Sequence, residues 1–199
     1  MVKYFTAKRL SFLAVFTAIV FIATLLFRFP NPLMGYSNLG DAFIFLIAAF
    51  FGPLPALISG AIGSALADVL SGFAIYAPFT FVVKGAEGAL AGILLRAFLK
   101  TGLNRHVAVL IAFLLASCEM MIGYFFTNAL LYGGFVSAAG AVLNDVLQGT
   151  VGTIAAYVFI LIFSKSKTLA KFLRSPLHAP KKDADSWKKE VHHDENNPT

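Results

Sequence analysis

Residues 10–27 read Leu10-Ser-Phe-Leu-Ala-Val-Phe-Thr-Ala-Ile-Val-Phe-Ile-Ala-Thr-Leu-Leu-Phe27, a run with no charge in it. Wound as an α-helix it rises about 27 Å, close to the hydrocarbon thickness of a bilayer. Lys3, Lys8 and Arg9 precede it, as basic residues precede the apolar core of a secretion signal. The run is too long for such a core, and no small-x-small cleavage site follows it, so it reads as a retained first transmembrane helix.

The same apolar density recurs along the chain. Windows of about 19 residues predict helices near 10–27, 41–52, 54–71, 78–99, 107–131 and 140–164, the second and third joined by the turn Gly52-Pro53-Leu54-Pro55. The second is short for a span and is expected to tilt, stop part-way or sit against its neighbours. A chain of 199 residues that is 58% hydrophobic and 13% charged has more apolar surface than one soluble domain can bury. Its apolar runs lack the strict alternation of barrel strands. The expected fold is therefore an all-α integral membrane protein, a bundle of six transmembrane helices over residues 1–174. Residues 175–199 are polar and without apolar period, and they are predicted to be a disordered cytoplasmic tail. His192 and His193 lie in that tail with no further ligand at fixed spacing, so they carry no metal site. The lone Cys118 excludes an internal disulfide and a cysteine-cluster zinc site.

Orientation follows from the basic residues. Lys3, Lys8 and Arg9 precede the first helix, Arg96, Lys100 and Arg105 surround the fourth-to-fifth connection, and Lys165, Lys167, Lys171 and Arg174 follow the sixth. The opposite loops, 28–40, 72–77 and 132–139, hold only Arg28. The positive-inside rule then places both termini in the cytoplasm of a plasma-membrane protein. The net charge of +6 is accounted for by this signal and by basic segments lying on anionic lipid. It implies no nucleic acid.

Ionisable groups inside lipid are costly, so the few present locate any chemistry. They are Asp41, Asp68, Lys84, Glu87, Glu119 and Asp145, accompanied by Asn38, Asn128, Asn144 and Gln148. Lys84 and Glu87 are three apart and can pair, and Asp145 and Gln148 share a face of the sixth helix. Glu119, Gly123 and Thr127 form an i, i+4 stripe on the fifth, either a cavity lining or a helix contact. Most of these groups fall near the outer ends of their helices. Such clustering predicts an outward-opening polar pocket for a small ligand with hydrogen-bonding groups around a ring. Tyr36, Phe73, Tyr76, Phe79 and Tyr132 stand at its expected rim, to stack on a flat ligand or to serve as interfacial belt residues. Each carboxylate taken singly has the plainer reading of an interhelical salt bridge.

Small residues form stripes as well: Ala7, Ser11, Ala14 and Ala18 on the first helix, Ala56, Gly60, Ser64 and Asp68 on the third, and Gly88-x-x-x-Gly92 on the fourth. The last two are expected to pack helices within the bundle, and the first either does so or faces another protein. No phosphate-binding loop, His-Glu-x-x-His or Gly-x-Ser-x-Gly motif occurs, so neither nucleotide hydrolysis nor a familiar membrane enzyme is indicated, and no cofactor is called for. There are no matched halves with broken helices. If the chain transports, its energy comes from a partner.

Together, Tyr36-Ser-Asn-Leu-Gly-Asp41, Gly52-Pro53, Gly63-Ser-Ala-Leu-Ala-Asp68, Ala77-Pro-Phe-Thr and Lys84-Gly-Ala-Glu-Gly88 resemble the substrate-binding S components of energy-coupling factor (ECF) vitamin transporters, closest to the branch assigned to hydroxymethylpyrimidine or pyridoxine-type compounds. The resemblance spans about residues 8–164. It implies a non-enzymatic subunit that captures a vitamin or precursor at the outer face. It also implies assembly with one transmembrane coupling protein and two ATPase subunits, and import by toppling within the bilayer. The family's Ala-x-x-x-Ala contact with the coupling protein matches Ala14 and Ala18. Ligand contacts do not carry over residue by residue. By geometry, Glu87, Asn144 and Gln148 are expected to hydrogen-bond a heteroaromatic ring, with Glu119 or Asp145 taking an amino group and Asn128 nearby. Lys84 neutralises Glu87 or meets a ligand oxygen, while Asn38 and Asp41 close the first loop over the site or cap the second helix. The competing classes are a self-sufficient proton-coupled transporter using Asp68, Glu87 or Glu119, and a membrane enzyme or scaffold.

Overall fold

The computed structural model describes residues 7–30 and 36–164. The tail predicted over 175–199 and the basic residues predicted after the sixth helix lie outside them, as does Lys3. Six helices follow in order: α1 (Ala7–Leu26), α2 (Gly40–Phe51), α3 (Pro53–Leu70), α4 (Ala77–Lys100), α5 (Arg105–Tyr132) and α6 (Phe135–Ser164). The chain divides into two compact units, Met1–Phe159 and Ile160–Thr199. The described part of the second is the end of α6, and everything below concerns the first.

Two expectations are corrected. The segment 28–40, expected as a loop, contains an antiparallel pair, β1 (Arg28–Pro30) with β2 (Tyr36–Asn38), in the register Arg28 to Asn38 and Phe29 to Ser37. The fold is therefore helical with one small hairpin rather than purely α. Hydropathy alone does not reveal it, because three-residue strands are too short to show a period. The last helix starts at Phe135 instead of 140, since Gly133 and Gly134, both at positive φ, end α5 and leave the next residue free to begin a helix.

Four helices, α1, α3, α5 and α6, carry windows long and apolar enough to cross a membrane. The exceptions have different causes. The twelve residues of α2 rise only about 18 Å. Along α4, Lys84, Glu87, Arg96 and Lys100 dilute an otherwise apolar sequence. Large apolar side chains remain exposed on the outward faces, among them Ile22 on α1, Ile122 and Leu130 on α5 and Leu143 on α6. That pattern suits a lipid solvent and would be untenable in water.

The short α2 lies in the core. Ile44 and Phe45 are fully buried, Phe45 stacks on Phe113 of α5 with ring centroids 4.6 Å apart, and Phe51 meets Phe16 of α1 at 4.3 Å. Gly52, at φ +93°, turns the chain directly into α3, whose first residue is Pro53. Proline there costs nothing, because its missing N–H lies at an unsatisfied position of the first turn. The small-residue stripes of α3 and α4 pack as expected. Ala56, Gly60, Ser64 and Asp68 are buried, and a methyl on Gly88 would meet the Ala56 carbonyl at 2.6 Å. The first-helix stripe does the opposite. Phe16, Val20 and Ala23 point inward, while Ala7, Ser11, Ala14 and Ala18 are exposed.

Candidate functional site

The α4–α5 seam sets the register of the polar groups. Tyr76, just before α4, donates to Asn128 Oδ1 at 2.8 Å, and Tyr124 donates to Thr80 Oγ1 at 3.2 Å. One turn further in, Gly123 lies so close to Val83 that a methyl there would meet its Cγ2 at 2.6 Å. The Glu119–Gly123–Thr127 stripe is thus a helix contact at its middle. Burial, followed by the neighbouring Tyr132 hydroxyl and the charges of Asp145 and Asp68, holds the Tyr76 phenol above the ordinary tyrosine range. It stays neutral and remains a donor.

Deeper in, Lys84 is the hub. Its ammonium bonds Asp41 of α2 and donates to Glu87 Oε2 at 2.9 Å, one turn along its own helix. Lys84, Asp41 and Glu87 are 1% exposed or less, so in this low-dielectric interior the two carboxylates are held together by the one ammonium they share. The ammonium also lies 5.7 Å from the Tyr124 ring centroid, within cation–π range.

From the other side α6 completes the network. Gln148 donates through Nε2 to Asp41 Oδ2 at 2.9 Å and accepts the Asn38 backbone N–H at 3.0 Å. The Asn38 side chain turns inward to accept the Gly40 N–H at 2.8 Å, satisfying a free donor at the start of α2. Asn144, one turn before Gln148 on α6, donates to Ser37 Oγ at 2.7 Å. Close approach of α6 is possible because Gly152 faces Asp41, where a methyl would meet the Asp41 Cβ at 2.8 Å. One chain of hydrogen bonds therefore links the hairpin, α2, α4 and α6.

The structure thus joins Asn38, Asp41, Lys84, Glu87 and Gln148 in one cluster, with Asn144 beside it and Asn128 in the α4–α5 seam. Glu119 and Asp145 are within electrostatic reach of Lys84 but have no bond to it. Glu87 Oε1, Glu119 Oε2 and Asp145 Oδ2 are buried with no hydrogen-bond partner among the described residues. Buried acceptors left bare each cost on the order of 1–3 kcal/mol, so the site is short of donors. Ser37, Thr80 and Tyr124 join this network without standing out in the sequence. Thr80 lies one turn before Lys84 on the same face, which was the available signal. Among the described residues, no group of His, Cys, Asp and Glu is arranged to hold a metal ion.

A family model described as the S component of an ECF-type riboflavin transporter matches residues 4–165. This chain belongs to that S-component family. It is a transport component in the membrane, of a family that is not one of enzymes. The S component is also 31% identical over 170 residues, 84% of this chain and 95% of the relative, to the thiamine precursor transporter HmpT of Lactococcus lactis. An uncharacterized protein of Pyrococcus woesei is 38% identical over 136 residues, 68% of this chain and 87% of its own length. A solved structure, described as that of the S component of a bacterial ECF transporter, superposes with a TM-score of 0.59 at 24% identity, covering 85% of this chain and 99% of that one. At that identity the likeness speaks for the fold alone.

Proposed function

We propose that this S component captures a vitamin precursor of the hydroxymethylpyrimidine type at the extracellular face and delivers it to the ATP-driven module of an ECF importer. The observation that carries the proposal is the buried cluster of Asp41, Lys84, Glu87 and Gln148, drawn from three helices, with donor-free carboxylate oxygens on Glu87, Glu119 and Asp145 beside it. A small ring with polar edges supplies the missing donors. The HmpT relative supports a pyrimidine over the flavin that the family description carries.

In this reading all six helices sit in the bilayer, with both termini cytoplasmic and the hairpin outside. The one-sided Lys and Arg distribution supports the orientation. Asn38, Asp41, Lys84, Glu87, Glu119, Asn144, Asp145 and Gln148 line or support the site, and Asn128 braces its outer seam. Ala14 and Ala18, exposed on α1, offer a surface of small side chains to a transmembrane coupling protein that works with two ATPase subunits.

Native mass spectrometry of the purified protein tests the proposal. A pyrimidine-sized ligand should travel with the wild type and be lost from Gln148→Ala. A protein that stays empty against the whole vitamin panel sinks it. Uptake that collapses with the proton gradient while ATP is maintained would instead favour self-sufficient proton-coupled transport.

A further inference from the structure

The α4–α5 register has a consequence at the bottom of the seam. The helices run antiparallel with Val83 against Gly123, so one turn further in on each brings Glu87 opposite Glu119. Glu119 lies within electrostatic reach of Glu87, and each keeps one buried oxygen, Glu87 Oε1 and Glu119 Oε2, with no donor among the described residues. The side chain of Glu87 is fully buried, its other oxygen held by Lys84 at 2.9 Å. That ammonium is already shared with Asp41 and bonds neither Glu87 Oε1 nor Glu119 Oε2. Tyr124 on α5 is occupied with Thr80. Gln148 is occupied with Asp41 and Asn38. Asp145 only adds another bare acceptor.

We infer that Glu87 and Glu119 form a two-sided clamp for an exocyclic amino group on a heteroaromatic ring, one N–H going to each carboxylate. This rests on the reading above that the cluster takes a small ring. It adds the feature by which rings are sorted. An aromatic amine carries two in-plane N–H bonds that diverge, and so matches acceptors on two different helices. A ring carbonyl at the same position would point an oxygen lone pair at two carboxylates. A site built to hydrogen-bond a buried donor rejects the analogue lacking it far more strongly than it distinguishes sizes.

The test is titration calorimetry of the full chain in detergent. The probes are 4-amino-5-hydroxymethyl-2-methylpyrimidine, its 4-hydroxy counterpart and riboflavin. The amino compound should bind on the order of 100-fold more tightly than the 4-hydroxy compound. Glu119→Gln, whose amide offers the carbonyl a donor, should cut that preference to within about 10-fold. The wild-type ratio needs no variant, and Glu119→Ala, which removes the second acceptor, serves if Glu119→Gln does not fold. Equal affinity for the two pyrimidines, or an unchanged ratio in the folded variant, overturns the clamp but leaves a pyrimidine-binding subunit. Riboflavin binding with neither pyrimidine bound overturns the clamp and the pyrimidine assignment, and leaves a vitamin-binding subunit. Binding of none of the three by folded protein overturns the reading beneath both.

Discussion

Replacing Lys84 by Met keeps an unbranched side chain one atom shorter and removes the only ammonium in the buried triad. Asp41 and Glu87, at most 1% exposed, would then be left facing one another without a counter-charge. Breaking a buried ion pair from one side costs about 3–5 kcal/mol, mostly as the penalty of the charge left behind. At roughly 2–4 °C per kcal/mol for a chain of this size, the melting temperature should fall by about 6–20 °C. The triple variant Asp41→Asn, Lys84→Met, Glu87→Gln removes all three charges together. It should recover at least half of the loss, because neutral replacement of a whole buried network is far cheaper than truncating one member. Size-exclusion thermostability in detergent reads both variants. A Lys84→Met protein within about 2 °C of wild type, or a triple variant no better than the single, refutes the claim that the shared Lys84 ammonium holds the two buried carboxylates in place.

Gln148→Ala leaves Asp41 Oδ2 and the Asn38 N–H without their partner and should cost about 1–3 kcal/mol, read by the same melt. Gly152→Val forces α6 away from Asp41 and should cost a further about 1–3 kcal/mol by overpacking while abolishing ligand retention in native mass spectrometry. Ala14→Trp with Ala18→Trp lies on an exposed face of α1. It should leave the melt unchanged within about 0.5 kcal/mol and abolish co-purification with the coupling and ATPase subunits; retained co-purification would move the partner surface elsewhere. In a Cys118→Ala background, a membrane-impermeant maleimide applied to intact cells should label Ala74→Cys and spare Thr101→Cys. The reverse pattern inverts the orientation.

Membrane character, the order of the helices and the short list of buried polar residues were legible in the sequence, because lipid admits few charges and punishes each one. The pairing of Lys84 with Glu87 followed from their three-residue spacing on a helix. The stripes of α3 and α4 announced close packing for the same reason of period. Which partner each remaining group takes did not follow. Asp41 is joined to Lys84 and Gln148 across gaps of 43 and 107 residues, and no local spacing encodes such a meeting. The hairpin was hidden because its strands are three residues each. The outward turn of Ala14 and Ala18 was left open because a small-residue stripe looks the same whether it meets its own bundle or another protein. The sequence by itself determined how many helices form and which side chains must find partners in a low-dielectric medium. Only the tertiary structure decided which of them did. Close packing at Gly123, between antiparallel α4 and α5, and at Gly152, between parallel α2 and α6, sets the register, and that register leaves Glu87, Glu119 and Asp145 with buried oxygens that no donor among the described residues reaches.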